Sequence, residues 1–366
     1  MPDISRELIQ LLDISQTPAL AAVGDRIEYM NLKARESFSQ FISPGDDISL
    51  IFGGGIGEDW GGRFMCVSDI GEAAVTVSAS RIGNALVMFL YPEEGKREQF
   101  QNFSANVRQA AGSAMSVMKM AADQLVERLD TERDEKMRAY SAALYHSYYK
   151  LLRMIGNISD MGGLTDASYP LVPESINLSE FCYELVSSVN KLIPHTGTAI
   201  EYSQSGSGFE INADRVLIER MLLNLISNSL ENSRPGDRVK LSLKLLGDRV
   251  IIAVDDTGRS LSEKDMADIL TGYERKRSPE EISAGGGIGL GLSIAGGIAR
   301  LHGGTLIITP GEEKGTSVRV LLPRNGDLPA KFKTSMPDYR DRGMHTLLTE
   351  LSGVLKSDSY SKKYMD

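Results

Sequence analysis

The stretch Gly285-Gly286-Gly287-Ile288-Gly289-Leu290-Gly291-Leu292-Ser293 stands immediately before an apolar helical pattern, Ile294–Leu301. The first turn of a helix presents backbone N–H groups without partners, and glycines leave those groups accessible, so the stretch predicts a phosphate cradle. It lacks the Gly-Lys-Ser/Thr ending of a P-loop, and Leu292 stands where the last glycine of Gly-x-Gly-x-x-Gly would be. Both common nucleotide motifs are therefore excluded.

Two polar motifs precede the glycine-rich stretch. Asn224 and Asn228 are spaced i, i+4, so both amides lie on one helix face and indicate a polar site. The strand pattern Val250–Val254 leads into Asp256 and Gly258, where a carboxylate can accept a hydrogen bond from an exocyclic amine such as that of adenine. Each motif alone also has an ordinary structural reading, as a hydrogen-bonding helical Asn or a common turn.

The segment that contains these motifs, Ile176–Pro323, alternates helical and strand-like patterns. Interleaved segments of both kinds predict a two-layer α/β sandwich. The helical patterns are Leu178–Ile193, Ala213–Ser233, Ser262–Leu270 and Leu290–Leu301, and the strand-like runs are Ala199–Ser203, Arg238–Leu245, Arg249–Asp255, Thr305–Thr309 and Ser317–Leu322.

Together the motifs resemble the Asn box and glycine boxes of the Bergerat-type (GHKL) ATP-binding domain, which sensor histidine kinases share with gyrase-like and chaperone ATPases. The resemblance spans about Asp214 to Pro323 and includes Leu301-His302-Gly303-Gly304-Thr305 and Gly315-Thr316. It implies that Asn228 ligates Mg²⁺ and that Asp256 reads the adenine amine. The implied ATP-binding residues are Asn224, Asn228, Asp256, Gly258, Gly287, Ile288, Gly289, Leu290, Gly291, Leu292 and Thr316.

The resemblance also implies a mobile lid, Thr271–Ala284, over the phosphates. Within it Arg275, Lys276 and Arg277 either neutralise phosphate charge or are simply solvated.

Family members that hydrolyse ATP use a Glu one helical turn before the magnesium Asn. Asn224 occupies that position and cannot act as a base, so the kinase branch is favoured. Elsewhere Glu231 replaces a common Lys and Ser260 replaces the second glycine of the Asp-x-Gly-x-Gly box.

Two long apolar stripes, joined by the charged break Asp130–Lys136, precede the α/β segment. They predict a helical hairpin that pairs into a four-helix dimer, with a linker that packs on its own chain as the alternative. Lys150–Asp160 resembles the second helix of the histidine kinase dimerisation domain, and Phe103–Val107 resembles the start of the first. The stripes are Phe100, Phe103, Val107, Ala110, Ala114, Val117, Ala121 and Leu125, then Met137, Tyr140, Leu144, Tyr148, Leu151, Ile155 and Ile158.

The phosphoacceptor position of the resembled family holds Gln109 in this chain, and an amide cannot accept a phosphoryl group as an imidazole can. The hairpin's one histidine, His146, lies two residues from Leu144 and Tyr148, so at about 100° per residue it is expected to point outward. His146 is the candidate phosphoacceptor. Its neighbour Ser147 offers no carboxylate to polarise the ring, and a surface histidine without a role is the alternative.

Residues 1–95 carry five short strand patterns, with a helical pattern at Asn31–Phe41 and a glycine-rich loop at Gly53–Gly62. Two strands, helices and then three strands is the order of a PAS-like sensor fold, and a small α+β domain of another kind is the alternative. Cys66 lies inside an apolar run and is predicted to be a core residue rather than a flavin-reactive thiol. The strand patterns are Ala19–Val23, Arg26–Met30, Phe64–Ser68, Ala73–Ala79 and Leu86–Tyr91.

Composition limits the remaining possibilities. The 366 residues carry a net charge of −9, which disfavours nucleic acid and anionic lipid as partners. The two cysteines, Cys66 and Cys182, are too few for a disulfide framework or a four-ligand zinc site. No apolar run approaches the roughly 18–20 residues of a spanning helix, and the N-terminus lacks a signal-peptide pattern. We therefore expect a cytoplasmic, soluble protein without membrane insertion.

These observations predict a multidomain α+β protein. Its expected parts are a PAS-like domain (1–95), a dimerisation hairpin (96–175), an ATP-binding sandwich (176–325) and a tail (326–366) with one amphipathic helix. The expected function is that of a sensor histidine kinase that uses ATP and Mg²⁺, forms a homodimer and phosphorylates a response regulator. The alternatives are a degenerate kinase that binds ATP as a signal and docks on a partner, and a protein Ser kinase of the anti-sigma type.

Overall fold

The computed structural model describes residues 4–52, 63–71, 73–92, 97–128, 134–164, 170–260, 290–311, 314–324 and 344–360. Each of the five strand patterns in residues 1–95 coincides with a strand or lies inside one, and all pair antiparallel. The predicted loop Gly53–Gly62 lies outside the described residues. The elements are helices α1 (Arg6–Ile14), α2 (Leu32–Phe38) and α3 (Ser49–Phe52), and strands β1 (Ala19–Val23), β2 (Arg26–Met30), β3 (Arg63–Ile70), β4 (Ala73–Ile82) and β5 (Ala85–Pro92).

The buried side chain of Asn31 ties α1, β1 and α2 together. Its Oδ1 accepts hydrogen bonds from the backbone N–H groups of Ala19 and Ala34, both at 2.9 Å. Its Nδ2 donates to the carbonyls of Leu12 and Thr17, both at 3.0 Å. Asn31 is the N-cap of α2, so the helix begins one residue later than predicted. Because its amide atoms are paired, this Asn can be buried at little cost.

Two long helices, α4 (Arg97–Arg128) and α5 (Glu135–Gly163), pack together as a hairpin. The hydroxyl of Tyr145 on α5 donates to Asp123 Oδ1 on α4 at 2.7 Å. Several residues of the predicted stripes instead face solvent: Val117 and Leu125 are 60% and 59% exposed, and Tyr140 is 66% exposed. The buried residues of the hairpin include Met115, Ala122, Val126, Ala142, Tyr145, Tyr148 and Tyr149.

The α/β sandwich predicted for the later part of the chain is confirmed. Its elements are β6 (Glu174–Asn177), α6 (Leu178–Leu192), β7 (Ile200–Ser205), β8 (Glu210–Ala213), α7 (Arg215–Asn232), β9 (Val239–Leu246), β10 (Arg249–Asp256), α8 (Gly291–Leu301), β11 (Thr305–Pro310) and β12 (Thr316–Pro323). The helices pack on strands in the order β11-β12-β10-β9-β7, in which β7 and β9 are parallel. The short strands β6 and β8, which were not predicted, form a separate pair.

The sheets of the two regions join into one ten-stranded sheet, a feature that the sequence did not predict. Strand β3 pairs antiparallel with β11, so that Ile307 lies opposite Cys66 and Ile308 opposite Met65. Across the same junction the hydroxyl of Thr305 donates to the carbonyl of Phe52 at 3.2 Å. Cys66 is fully buried, and burial raises the pKa of its thiol, which confirms it as a core residue. The junction also covers the edge of β11.

The C-terminal segment forms a short helix, α9 (Met344–Glu350), then turns and a 3-10 turn at Ser357–Tyr360. The predicted amphipathic helix is thus present but ends at Glu350, while Leu351 and Leu355 remain buried beyond it. The segment packs against α5 and α7. Among the helices of the described ranges, none combines the length and the apolar character that a membrane crossing requires.

Candidate functional site

A buried histidine fixes the beginning of α7. The carboxylate of Asp214 caps the helix by accepting from the N–H groups of Val216 and Leu217 at 3.1 and 3.3 Å. The backbone N–H of Asp214 donates to His302 Nε2 at 3.0 Å, and His302 Nδ1 lies 2.8 Å from the carbonyl of Ile298. Because Nε2 accepts, the proton is assigned to Nδ1 and the ring is neutral; burial lowers its pKa. The end of α8 is thereby attached to the start of α7.

Asn224 and Asn228 lie one turn apart on α7, as predicted. Asn224 is fully buried, and its Nδ2 donates to the carbonyl of Arg220 at 2.9 Å and to Glu350 Oε2 at 3.4 Å. Its Oδ1 finds no hydrogen-bond partner within the described ranges. A Cβ on Gly291, at the beginning of α8, would lie 3.0 Å from that oxygen, so glycine allows the close approach. Asn228 is half-buried, and its side chain contacts no hydrogen-bond partner among the residues described.

The end of β10 presents a buried carboxylate. Asp256 is 4% exposed, and its Oδ1 accepts from the N–H of Gly258 at 3.0 Å. The backbone of Thr316 and the hydroxyl of Ser229 on α7 donate to the same carboxylate. Burial raises the pKa of Asp256 to about 6, although these three hydrogen bonds lower it. Asp256 therefore lies where β10, β12 and α7 meet.

The glycines beside Asp256 allow close backbone contacts. A Cβ on Gly258 would clash with the carbonyl of Asn232 at the end of α7. Gly315 has a φ of +81°, and a Cβ there would clash with the backbone of Asp256. Its N–H donates to Ser260 Oγ at 2.9 Å, so the serine that departs from the glycine box has a structural role.

The glycine-rich stretch is described only at its end. Leu290 precedes α8, while Gly291 and Leu292 are in the first turn of the helix. The remaining predicted contacts, Gly287, Ile288, Gly289, Arg275, Lys276 and Arg277, lie outside the described residues, as do the predicted lid and the helical pattern Ser262–Leu270.

Two clusters of buried ion pairs, which were not predicted, join α5 to α7. In the first, an Nη atom of Arg153 lies 3.1 Å from Glu231 Oε1, and the other Nη donates to Ser227 Oγ at 3.0 Å. The hydroxyl of Ser227 in turn donates to Glu231 at 3.2 Å. Glu231, a departure from the resembled family, therefore has a cationic partner in the hairpin.

The second cluster surrounds Arg220, which is 2% exposed. Its Nε lies 3.1 Å from Glu350 Oε1, an Nη donates to Asn157 Oδ1 at 3.2 Å, and the guanidinium also pairs with Asp160. Polar residues at i, i+4 and i+7 on α5, namely Arg153, Asn157 and Asp160, were the available signal in the sequence. Their partners on α7 are Arg220, Ser227 and Glu231.

The ring of His146 lies under the C-terminal segment rather than in solvent, where it was expected. His146 Nε2 is 3.1 Å from the carbonyl oxygen of Ser352, and the ring stacks on Tyr360 with 5.0 Å between centroids. Burial lowers the pKa of the imidazole, against the hydrogen bond to Ser352. Gln109 lies in α4, and its side chain is outside what the structure describes.

Comparison with known families matches part of the chain to a family model. Residues 213–326 match the family described as "Histidine kinase-, DNA gyrase B-, and HSP90-like ATPase". This segment contains α7, β10, α8 and the residues around Asp256. The family match and the described site therefore lie in the same part of the chain.

Curated relatives include sensor histidine kinases. An uncharacterized sensor-like histidine kinase of Rhizobium meliloti is 26% identical over 197 residues, 52% of this chain and 36% of that protein. The non-motile and phage-resistance protein of Caulobacter vibrioides is 30% identical over 52% of this chain and 23% of its own length. This chain thus spans about a third or less of these two relatives.

Among solved structures, full-length ShkA in complex with AMPPNP is 21% identical, with a TM-score of 0.49 over 64% of this chain and 47% of that chain. The aligned length of 197 residues in the Rhizobium relative exceeds the domain match, so that similarity also includes residues outside it. Residues 213–326 therefore match the histidine kinase-, DNA gyrase B- and HSP90-like ATPase family, and about half of the chain is similar to sensor histidine kinases.

Proposed function

We propose that the chain is a sensor histidine kinase that binds ATP with Mg²⁺, transfers the γ-phosphoryl group to a histidine and passes it to an aspartate of a response regulator. The observation that carries the proposal is the buried carboxylate of Asp256, which accepts a hydrogen bond from Ser229, the residue after Asn228 on α7. A fixed acceptor of this kind suits the exocyclic amine of adenine. The histidine kinases among the relatives support the kinase assignment.

The described residues fit a Mg-nucleotide. Mg²⁺ prefers oxygen ligands, and the amide oxygen of Asn228 would hold it together with the phosphates. When bound, the ion neutralises charge on the phosphoryl group that is transferred. The N-terminus of α8 and the glycines Gly287, Gly289 and Gly291 would hold the phosphates. From the predicted lid, Arg275, Lys276 and Arg277 would neutralise the negative charge of the phosphates. Asn224 carries no basic group and would not activate a water molecule. Its presence therefore favours transfer of the phosphoryl group over hydrolysis of ATP.

His146 is the proposed phosphoacceptor. Its hydrogen bond to the carbonyl of Ser352 places a proton on Nε2, which leaves Nδ1 as the nitrogen with a lone pair in this tautomer. A neutral imidazole is the nucleophilic form, and burial lowers the pKa of His146 and so favours it. Phosphorylation of Nε2 requires that the C-terminal segment leave the ring.

Incubation with γ-labelled ATP is expected to label the chain in an acid-labile manner. His146→Gln should abolish the label, because no other histidine of the sequence lies in the hairpin. The matched control is His195→Gln, in the turn Pro194–Thr196, which should keep the label. Autoradiography before and after acid treatment measures both. Labelled His146→Gln would contradict the acceptor assignment.

The second candidate function is that of a degenerate kinase that binds ATP without phosphotransfer. Two observations favour it: the phosphoacceptor position of the resembled family holds Gln109, and the C-terminal segment covers the ring of His146. Nucleotide binding without any label, and a partner retained through residues 96–165, would select it. An acid-stable label would instead indicate a Ser kinase of the anti-sigma type.

A homodimer through the hairpin is also proposed. The exposed positions Val117 and Leu125 repeat along α4, and Tyr140 and Leu151 are exposed on α5, so an apolar surface is left uncovered in the single chain. A surface of this kind is typical of a helical interface with another copy.

The region 1–95 would be the PAS-like input domain, since it has the order of two strands, helices and three strands.

Leu125→Glu is expected to raise the dimer dissociation constant at least about tenfold, because it removes roughly 1.5–3 kcal/mol of apolar burial and adds a charge. Ser116→Glu is the matched control, since Ser116 is an exposed residue of α4 outside the stripe. Sedimentation equilibrium measures both variants. A dimer that is unchanged in Leu125→Glu would show that the hairpin surface has another role.

A further inference from the structure

The segment Met344–Tyr360, here called the C-terminal clasp, is packed between the hairpin and α7. Leu348, Leu351 and Tyr360 are fully buried, and Leu355 is nearly so. The hydroxyl of Tyr360 donates to the carbonyl of Leu348 at 2.8 Å, which folds the end of the clasp back on its helix. The clasp is therefore an ordered structural unit with its own internal contact.

On the hairpin side, the clasp covers His146. The carbonyl of Ser352 lies 3.1 Å from His146 Nε2, and the Tyr360 ring stacks on the imidazole. One turn along α5, the Tyr149 hydroxyl lies 2.6 Å from His345 Nδ1. A phosphoryl donor cannot reach Nε2 while the carbonyl and the aromatic ring are in place.

On the α7 side, the clasp inserts a carboxylate. Glu350 is 4% exposed, and its two oxygens contact Arg220 Nε at 3.1 Å and Asn224 Nδ2 at 3.4 Å. Asn224 is one helical turn before Asn228, and a Cβ on Gly291 of the glycine-rich stretch would lie 3.0 Å from its Oδ1. Arg220 pairs with both Glu350 and Asp160, so the cluster as a whole keeps a net negative charge, which lies beside Asn224, a proposed ATP-binding residue.

A glycine of the clasp also lies directly on the ion pair between the hairpin and α7. A Cβ on Gly353 would clash with Glu231 Oε1 and would lie 2.7 Å from an Nη atom of Arg153. The clasp thus contacts both helices at the point where they are joined. Its release would free His146 and one contact of Arg220 together.

We propose that the C-terminal clasp is an autoinhibitory element that competes with Mg-ATP. The proposal rests on the proposed function, because it places the phosphates beside Asn224. The phosphates and the Glu350 carboxylate repel each other across a buried, low-dielectric region, so nucleotide and clasp weaken each other's binding. Such coupling is reciprocal: nucleotide loosens the clasp by the same factor as the clasp weakens nucleotide binding.

The test uses the full chain and its Glu350→Gln variant, in which the side chain keeps its shape and loses its charge. Calorimetric titration with Mg-AMPPNP is expected to give a dissociation constant about 5- to 50-fold lower for the variant. Asp358→Asn is the matched control, since it removes an exposed carboxylate of the same segment and should leave the constant within about twofold. Equal constants for the wild type and Glu350→Gln overturn the competition.

A second measurement is independent of nucleotide affinity. Carbethoxylation of His146, followed by mass spectrometry, is expected to be several-fold faster in Glu350→Gln than in wild type, and hydrogen exchange in 344–360 is expected to rise. If no variant binds nucleotide, the proposed function fails, while faster modification of His146 still supports the clasp. If nucleotide binds but His146 and 344–360 are equally protected in both proteins, the clasp is overturned and the proposed function stands.

Discussion

Replacement of Arg220 by methionine is expected to lower the free energy of unfolding by about 3–5 kcal/mol. The guanidinium is 2% exposed and pairs with Asp160 of α5 and Glu350 of the clasp, so its removal takes the Arg220 charge away from two carboxylates of low exposure. Asn157 also loses its Arg220 donor. Urea denaturation followed by circular dichroism measures the change.

Lys314→Met is the control for Arg220→Met. Lys314 pairs with Asp237 at 2.6 Å, but its side chain is 58% exposed. An exposed pair contributes at most about 1 kcal/mol, so this variant should unfold close to wild type. If the two substitutions had equal effects, the cluster around Arg220 would not hold the hairpin, α7 and the clasp together.

Asp256→Asn is expected to weaken nucleotide binding between about 10- and 100-fold, the equivalent of ~1.5–3 kcal/mol for a hydrogen bond to a charged group. A carboxylate only accepts, whereas an amide whose oxygen keeps the hydrogen bond from Gly258 must present an NH₂ group to the adenine amine. Two donors then face each other. Calorimetry with Mg-AMPPNP measures the loss.

Asp255→Asn is the matched control for this substitution. The carboxylate of Asp255 accepts from Ser317 Oγ at 2.5 Å and is not part of the Asp256 cluster. Nucleotide affinity should therefore stay within about twofold of wild type. If both variants lost nucleotide affinity equally, the loss would come from a disturbed end of β10 and not from the proposed adenine contact.

The raised pKa of Asp256 adds a pH dependence with a defined sign. Because the pKa is about 6 and the ionised carboxylate is the form that accepts from adenine, protonation competes with nucleotide binding as the pH falls below 6. Affinity should fall up to about tenfold per pH unit there and be nearly constant above pH 7. Asp256→Asn should lack this dependence. An unchanged wild-type affinity between pH 5 and pH 7 would contradict the assignment.

The parts of the fold that the sequence predicted are those with strong periodicity. Helices α6, α7 and α8 begin and end within about two residues of their patterns because each has a continuous apolar face against the sheet. The pairing of β3 with β11 was not predicted, since contact between distant edge strands leaves no local pattern. Strands β6 and β8 have only four residues each, too few for a clear alternation.

The positions of the candidate site residues in the fold were predicted where local motifs determine them. Asp256 lies at its strand end and the two Asn residues share a face, as expected. The surroundings of His146 were not predicted, because helical periodicity identifies a face of α5 but not a distant segment that covers it. The contact of Arg220 with Glu350 likewise joins positions far apart in the chain, where neither residue has a distinguishing neighbour.

Calorimetric titration of the full chain with Mg-ATP and with Mg-GTP shows whether the chain binds ATP and recognises its adenine base. We expect one saturable site per chain for ATP, weaker binding when Mg²⁺ is chelated, and binding of GTP that is at least about tenfold weaker, because guanine presents a carbonyl where adenine presents its amine. Absence of ATP binding, or equal affinity for the two nucleotides, would contradict this expectation.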